Sequence, residues 1–437
     1  MQNVLLSSGY LMPLIGFGTY KIQGADIIYQ VVDESLKAGY RSIEKYTKLS
    51  KTGKPSETEW TVLSGIVLKK PDGLLSLVAL ATGTKCLGEI DLINTKLYEE
   101  GCRLNDSHAE VLSRRAFLRY LYEQINLLLD GISSDIFTMD STNKIKLKDG
   151  ISFHFFTSQT PCGDCSIFLK DEFYENNTPP MKIGKYDCND EGEMIMKSCD
   201  NKKEQILGDI YRTGAKCVKT EQYQDPHLTG VNYHVIGPLR TKPGRGNPTL
   251  SLSCSDKMAK WNILGLQGSL LSILIPTIKV ESITVGGKCP FSLEAMERGL
   301  YKRFNKEEIY RLKIMRAKFS FQQQKNSQRK NPCPSSIIWC AVRHRDTEIA
   351  VEGRKQGATR RKKGSNLFIT RRALFETFLR TCDRYYNLHC NIRHPKKITY
   401  LDCKKWSKNY QSLWNVLKME SFRAWPSKPN RAQMFVL

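Results

Sequence analysis

A histidine stands two residues ahead of a glutamate in LNDSHAEVLSRRAFLRYLYEQ, residues 104–124. His108 offers an imidazole that can bind a metal, and Glu110 offers a carboxylate that can move protons beside it. Further along, PCGDC at residues 161–165 adds two thiols, Cys162 and Cys165. One nitrogen and two sulfurs suit zinc, and a catalytic zinc keeps a fourth position open for water. By spacing alone the third ligand is Cys165. The chemistry in view is metal-assisted hydrolysis, with Glu110 carrying the protons.

These side chains need elements to position them. Asn105, Asp106 and Ser107 are helix-capping types, and Val111, Leu112, Phe117, Leu118, Leu121 and Tyr122 follow at helical spacing. A helix starting there puts His108 and Glu110 in its first turn. ISFHFFTSQT reads as a strand that delivers PCGDC to a second helix start, where the dipole favours thiolate. Upstream, WTVLSGIVLKK and LLSLVALATGTKCLG read as antiparallel strands turning at Pro71, Asp72 and Gly73.

The rest of the chain is read more coarsely. Residues 171–206 are polar and irregular, which predicts an insertion, with Cys188 and Cys199 structural. A helix is expected near Ser253, and residues 261–279 read as a buried helix leading into a buried strand. Residues 305–335 are polar and basic and are expected to loop out. SSIIWCAV and EIAVEGRKQGATRRKKG predict a hairpin ending in Arg354, Lys355, Arg360, Arg361, Lys362 and Lys363, a candidate RNA-binding cluster. The C-terminal part reads as helical.

Composition narrows the partners. The 437 residues carry a net charge of +23, which points to a polyanion such as nucleic acid. Fourteen scattered cysteines do not form the dense framework of a small secreted domain. No basic segment precedes an apolar run at the N-terminus, and no run is clean enough to span a membrane. The expectation is an intracellular protein of the cytoplasm or nucleus, with no obligate protein partner evident.

His-x-Glu followed by Pro-Cys-x-x-Cys is the signature of zinc-dependent base deaminases. Residues 46–437 resemble more narrowly the RNA-editing class of adenosine deaminases. The carriers are ATGTKC, LNDSHAEVLSRRAF, TPCGD, YRTGAKCV, KPGRG, SLSCSDKMAKWNILGLQGSLLS, KCPFSLEAM and EGRKQGAT. The resemblance implies an α/β fold: a cytidine-deaminase-like mixed sheet with zinc-bearing helices, extended by C-terminal helices. It implies His108, Cys162 and Cys254 as zinc ligands, against the spacing reading of Cys165, and Glu110 as proton shuttle. It implies deamination of an adenosine in tRNA, next to the anticodon of alanine tRNA, with RNA held by the basic surface. It also implies a buried inositol hexakisphosphate lined by Asn105, Arg114, Arg115, Lys257, Lys260, Ser269, Arg371, Tyr400, Lys404, Tyr410, Trp425 and Lys428. Trp414, Ser427 and Gln433 depart from the class near that site. Taken singly, Arg114 could instead pair with Glu110 four residues earlier.

Residues 1–45 resemble something else. LSSGYLMPLIGFGTYKI, an amphipathic helix and AGYRSIE are similar to the opening strand, helix and second strand of the NADPH-using aldo-keto reductases. Glu44 stands where that family has Asp, and no later stretch supplies its catalytic Tyr, Lys and His. The segment is expected to be a non-functional fragment. The readings held beside hydrolysis are an RNA-binding protein without turnover and an NADPH-linked reductase.

Overall fold

The computed structural model describes residues 39–93, 100–170, 208–247, 249–304, 310–358, 366–389, 398–430 and 433–437, and two short strand pairs at 3–5/11–13 and 187–188/194–195. Cys199 and the cluster Arg360, Arg361, Lys362 and Lys363 lie outside the described residues.

The centre is a mixed sheet of eight strands. In chain order they are β1 (Leu63–Lys69), β2 (Leu75–Thr82), β3 (Ser152–Thr157), β4 (Ser282–Val285), β5 (Lys313–Arg316), β6 (Ser335–Cys340), β7 (Thr347–Val351) and β8 (Arg354–Lys355). They lie in the order β5-β4-β3-β1-β2-β6-β7-β8. The contacts β3/β4 and β4/β5 are parallel and the others antiparallel. The β1–β2 turn falls where Pro71, Asp72 and Gly73 predicted it, with Gly73 at φ 82°.

Helices cover both faces, which explains why β1 and β2 are almost wholly apolar. α1 (Gly39–Lys48) lies on one side, where Tyr46 packs with Val67, Leu80 and Phe156. α2 (Ala109–Leu129) lies on the other, where Leu112, Phe117 and Leu121 join Ile66, Leu68 and Val78. Alternate residues of one strand thus serve two cores. Gly65 admits α1 closely: a Cβ there would meet Ser42 Oγ at 2.3 Å.

α1 corrects the reductase resemblance. AGYRSIE was expected as a second barrel strand, yet Gly39–Lys48 is helical. Gly39, Ser42 and Tyr46 recur at helical spacing and form its buried face, and that burial decides the conformation. Nor does the segment 305–335 simply loop out. Lys313–Arg316 is an edge strand, and Leu312 and Phe321 are buried. Trp261 lies inside the helix Cys254–Leu264; a short helical piece, Gly268–Leu271, follows, and the next strand begins only at Ser282. Among the described residues, three C-terminal helices complete the fold: α4 (Arg371–His389), α5 (Tyr400–Lys405) and α6 (Lys408–Glu420). The Cys254–Leu264 helix is α3. No described helix is long and apolar enough to cross a membrane.

Candidate active site and metal centre

His108 sits where a short strand runs into α2. Asp106–His108 pairs with Thr84–Cys86, and the Ala109 N–H donates to the Gly83 carbonyl. α2 therefore begins one residue later than capping chemistry suggested, and His108 occupies the cap without a side-chain bond to it. Asp106 stands two residues ahead of that cap, in the short strand.

Cys162 follows β3 in a loop that makes only a single 3-10 turn, Asp164–Ser166, instead of the expected helix. The second helix start belongs to Cys254, the first residue of α3, whose cap Ser253 accepts from the Asp256 N–H. Gly163 at φ 107° lets loop and helix meet: a Cβ would stand 2.3 Å from Ser253 Oγ. The Ser255 N–H donates to the Cys162 carbonyl at 3.0 Å, locking the two cysteines in register.

The result is a compact donor set. His108 Nδ1 lies 3.5 Å from Cys254 Sγ and 3.9 Å from Cys162 Sγ, and all three ligand atoms fall within 4.8 Å of one another. Zinc with bonds of about 2.0–2.3 Å in a tetrahedron needs ligand separations of about 3.5–3.8 Å, so the residues fit that ion. Cys165 is not in the group. Its thiol contacts the Met296 carbonyl, its N–H donates to Ser255 Oγ, and burial pushes its pKa up to about 12.

Glu110 is buried beside the donors, and its Oε2 has no hydrogen-bond partner among the described residues. Burial raises its pKa above the ordinary carboxylate value, so it can hold a proton and release it. It makes no ion pair with Arg114 among the described residues. His108, Glu110 and Cys162 line a cavity of about 600 Å³ with Val62, Thr84, Thr160 and Arg212. A pocket of that size accepts a nucleoside.

Two residues that matter here escaped the sequence reading. Lys242, 1% exposed, puts Nζ 3.4 Å from Cys254 Sγ and 2.8 Å from Asp106 Oδ2. Asp106 also binds Lys257, and its Oδ1 accepts from the His108 N–H at 3.0 Å and from the Cys86 thiol at 3.3 Å. Burial opposes its charge, yet Lys242 and Lys257 hold it well below the usual carboxylate range. Lys242 lies in KPGRG, which read as a basic, glycine-rich loop and carried the resemblance without marking Lys242 for the site. Its return to the metal site is a tertiary event.

Asp106 also borders a second region. Two cavities of about 200 and 210 Å³ share Arg114, Arg115, Lys260, Arg371 and Tyr410 as walls. The first adds Asn105, Lys257, Trp425 and Lys428, and the second adds Ser269, Tyr400 and Lys404. Every residue the resemblance named for an anion is therefore on these walls. Asp106 is the only carboxylate among the described residues that line them. Burial, then neighbouring cations, depress Lys260 and Lys428 well below the lysine value, and burial brings Arg115 down to about 10. Trp414, a departure from the class, receives the Lys260 ammonium 3.2 Å from its ring centroid. Gln433 donates to the Lys428 carbonyl at 3.4 Å.

Comparison with known proteins agrees with this architecture. Residues 79–429 match the model of the adenosine-deaminase (editase) domain. The chain is 34% identical to tRNA-specific adenosine deaminase 1 of Drosophila melanogaster, over 89% of this chain and 93% of that protein. It is 31% identical to the Homo sapiens protein of the same name, over 87% and 95% respectively. It is 29% identical to the double-stranded RNA-specific editase Adar of Drosophila melanogaster, over 90% of this chain and 54% of that one. With its His-Cys-Cys group and the buried Glu110 beside it, the chain belongs to the adenosine-deaminase (editase) family.

Proposed function

We propose that this protein hydrolyses adenosine to inosine in tRNA, at a position beside the anticodon of alanine tRNA. The observation that carries the chemistry is the unpartnered, buried Glu110 Oε2 next to His108, Cys162 and Cys254. Those three residues would hold zinc. When bound, zinc supplies the Lewis acidity that makes water a nucleophile near neutral pH.

The chain's own residues do the rest. Glu110 takes a proton from the attacking water at Oε2, and its burial makes it basic enough for that. It passes that proton to N1 of the purine, then carries the proton left on the new C6 hydroxyl to the departing amino group, so that adenosine and water become inosine and ammonia. The base must leave its stack to reach Glu110, which costs less in an anticodon loop than in a duplex. That the similar Drosophila melanogaster and Homo sapiens proteins are tRNA-specific adenosine deaminases supports tRNA as the substrate.

The cationic cavities would hold inositol hexakisphosphate. Buried cations with a single carboxylate among them are costly without an anion, and a polyphosphate supplies it. Asp106 and Lys257 would then stand between that anion and the zinc ligands. We place the protein in the cytoplasm or nucleus, where its substrate is made and used.

The test is inosine formation in alanine tRNA by wild type and Glu110→Gln. Proton-transfer catalysis is worth about a hundred- to ten-thousandfold, so the variant should bind RNA and lose product by that factor. Equal product from both would end this reading, and binding without product by wild type would leave an RNA-binding protein.

A further inference from the structure

The reaction cavity has rim residues that the hydrolysis does not use. Trp60, Tyr211, Arg212 and Lys85 line it and are half-buried or exposed. Trp60 is the one most firmly built in. Glu59–Trp60 pairs in parallel with Asn331–Pro332, and the indole N–H donates to the Lys330 carbonyl at 3.2 Å. Arg329 holds the Glu59 carbonyl at 2.7 Å. Gln159, another lining residue, donates to Gln324 at 3.3 Å. The basic, amide-rich run at 321–332 is thus tied to the mouth of the cavity. The exposed Lys325 ammonium lies 5.9 Å from the Trp60 ring centroid.

A fixed, half-exposed indole with a cation beside it has a recognisable use. Single-stranded RNA is held by aromatic faces that stack bases and by cations that take phosphates. An adenosine that enters the cavity abandons its stack, and its neighbour loses a partner with it. We propose that Trp60 is the stacking platform for the base adjoining the reacting adenosine, with Lys325 taking the phosphate between them. This rests on the deaminase reading and assigns that site a subsite for a flanking nucleotide. The charge agrees: the rim carries Lys85 and Arg212, and Lys325 lies by Trp60, in a chain of net charge +23.

Three anticodon stem-loop RNAs test this: one intact, one abasic on the 5′ side of the target adenosine, one abasic on the 3′ side. Binding by fluorescence anisotropy at one fixed salt concentration, and single-turnover inosine formation, are measured with wild type, Trp60→Phe and Trp60→Ala. Loss of one stacked base should weaken binding of intact RNA to Trp60→Ala by roughly ten- to a hundredfold, with Trp60→Phe keeping most of it. One abasic RNA should show the same loss on wild type and no further loss on Trp60→Ala. A Trp60→Ala penalty equal on all three RNAs would overturn the platform. So would wild type that binds both abasic RNAs as well as the intact one, and that arm needs no variant to fold. Wild type that binds RNA and yields no inosine sinks the deaminase reading alone, while the binding arm still decides on Trp60. Wild type that binds none of the RNAs overturns both.

Discussion

The Lys242 ammonium bridges Cys254 Sγ at 3.4 Å and Asp106 Oδ2 at 2.8 Å, joining one metal-ligand candidate to the carboxylate that borders the cationic cavities. It gives the Cys254 sulfur a buried counter-charge and holds Asp106 against the His108 backbone.

Lys242→Met should therefore act twice. Removing one partner of a buried ion pair costs on the order of 3 kcal/mol, although Lys257 still serves Asp106. Losing support behind a metal ligand weakens metal affinity by about ten- to a hundredfold. Urea unfolding and zinc competition with a chelator check the two effects. An unchanged zinc affinity would show that the bridge does not support the ligand.

The two cysteines weighed as third ligand separate cleanly by metal content. Cys254→Ser should lose bound zinc, while Cys165→Ala should keep one zinc per chain. Elemental analysis of the purified proteins decides it. Zinc lost from Cys165→Ala and retained by Cys254→Ser would reverse the assignment.

The cationic cavities carry a pH signature. Folding depresses Lys260 and Lys428, so an anion-free chain takes up protons when it unfolds. Its stability should rise with pH toward the unfolded lysine value of about 10.4. Inositol hexakisphosphate should flatten that slope by favouring the charged lysines in the folded state. Denaturant unfolding at pH 6 and pH 9, with and without the polyphosphate, measures it. Identical slopes would argue against an anion there.

Gly163→Ala probes the meeting of loop and helix. The residue sits at φ 107°, and the new methyl would lie 2.3 Å from Ser253 Oγ. Strain of this kind costs about 1–3 kcal/mol. Cys162 and Cys254 would be forced apart, so zinc content should fall together with the unfolding midpoint. A variant with normal zinc and normal stability would refute the close packing drawn here.

The sequence by itself named the candidate groups for the chemistry and much of the scaffold. His108, Glu110 and Cys162 were legible because metal ligation and proton transfer demand those residue types at short spacing. The β1–β2 hairpin, α2 and the start of α3 were legible because period and capping are local properties. Other features depended on contacts between distant segments. Spacing favoured Cys165, but only folding brings Cys254 to Cys162, by packing of α3 against the 161–165 loop, and both to His108. Asp106 read as a cap, yet it stands two residues ahead of the cap, and Lys242 and Lys257 hold its carboxylate. AGYRSIE read as a strand by likeness, and Gly39, Ser42 and Tyr46 became a helix because the sheet face had to be covered. A local pattern states which groups are available. Burial, close approach and the pairing of buried charges decide which of them meet.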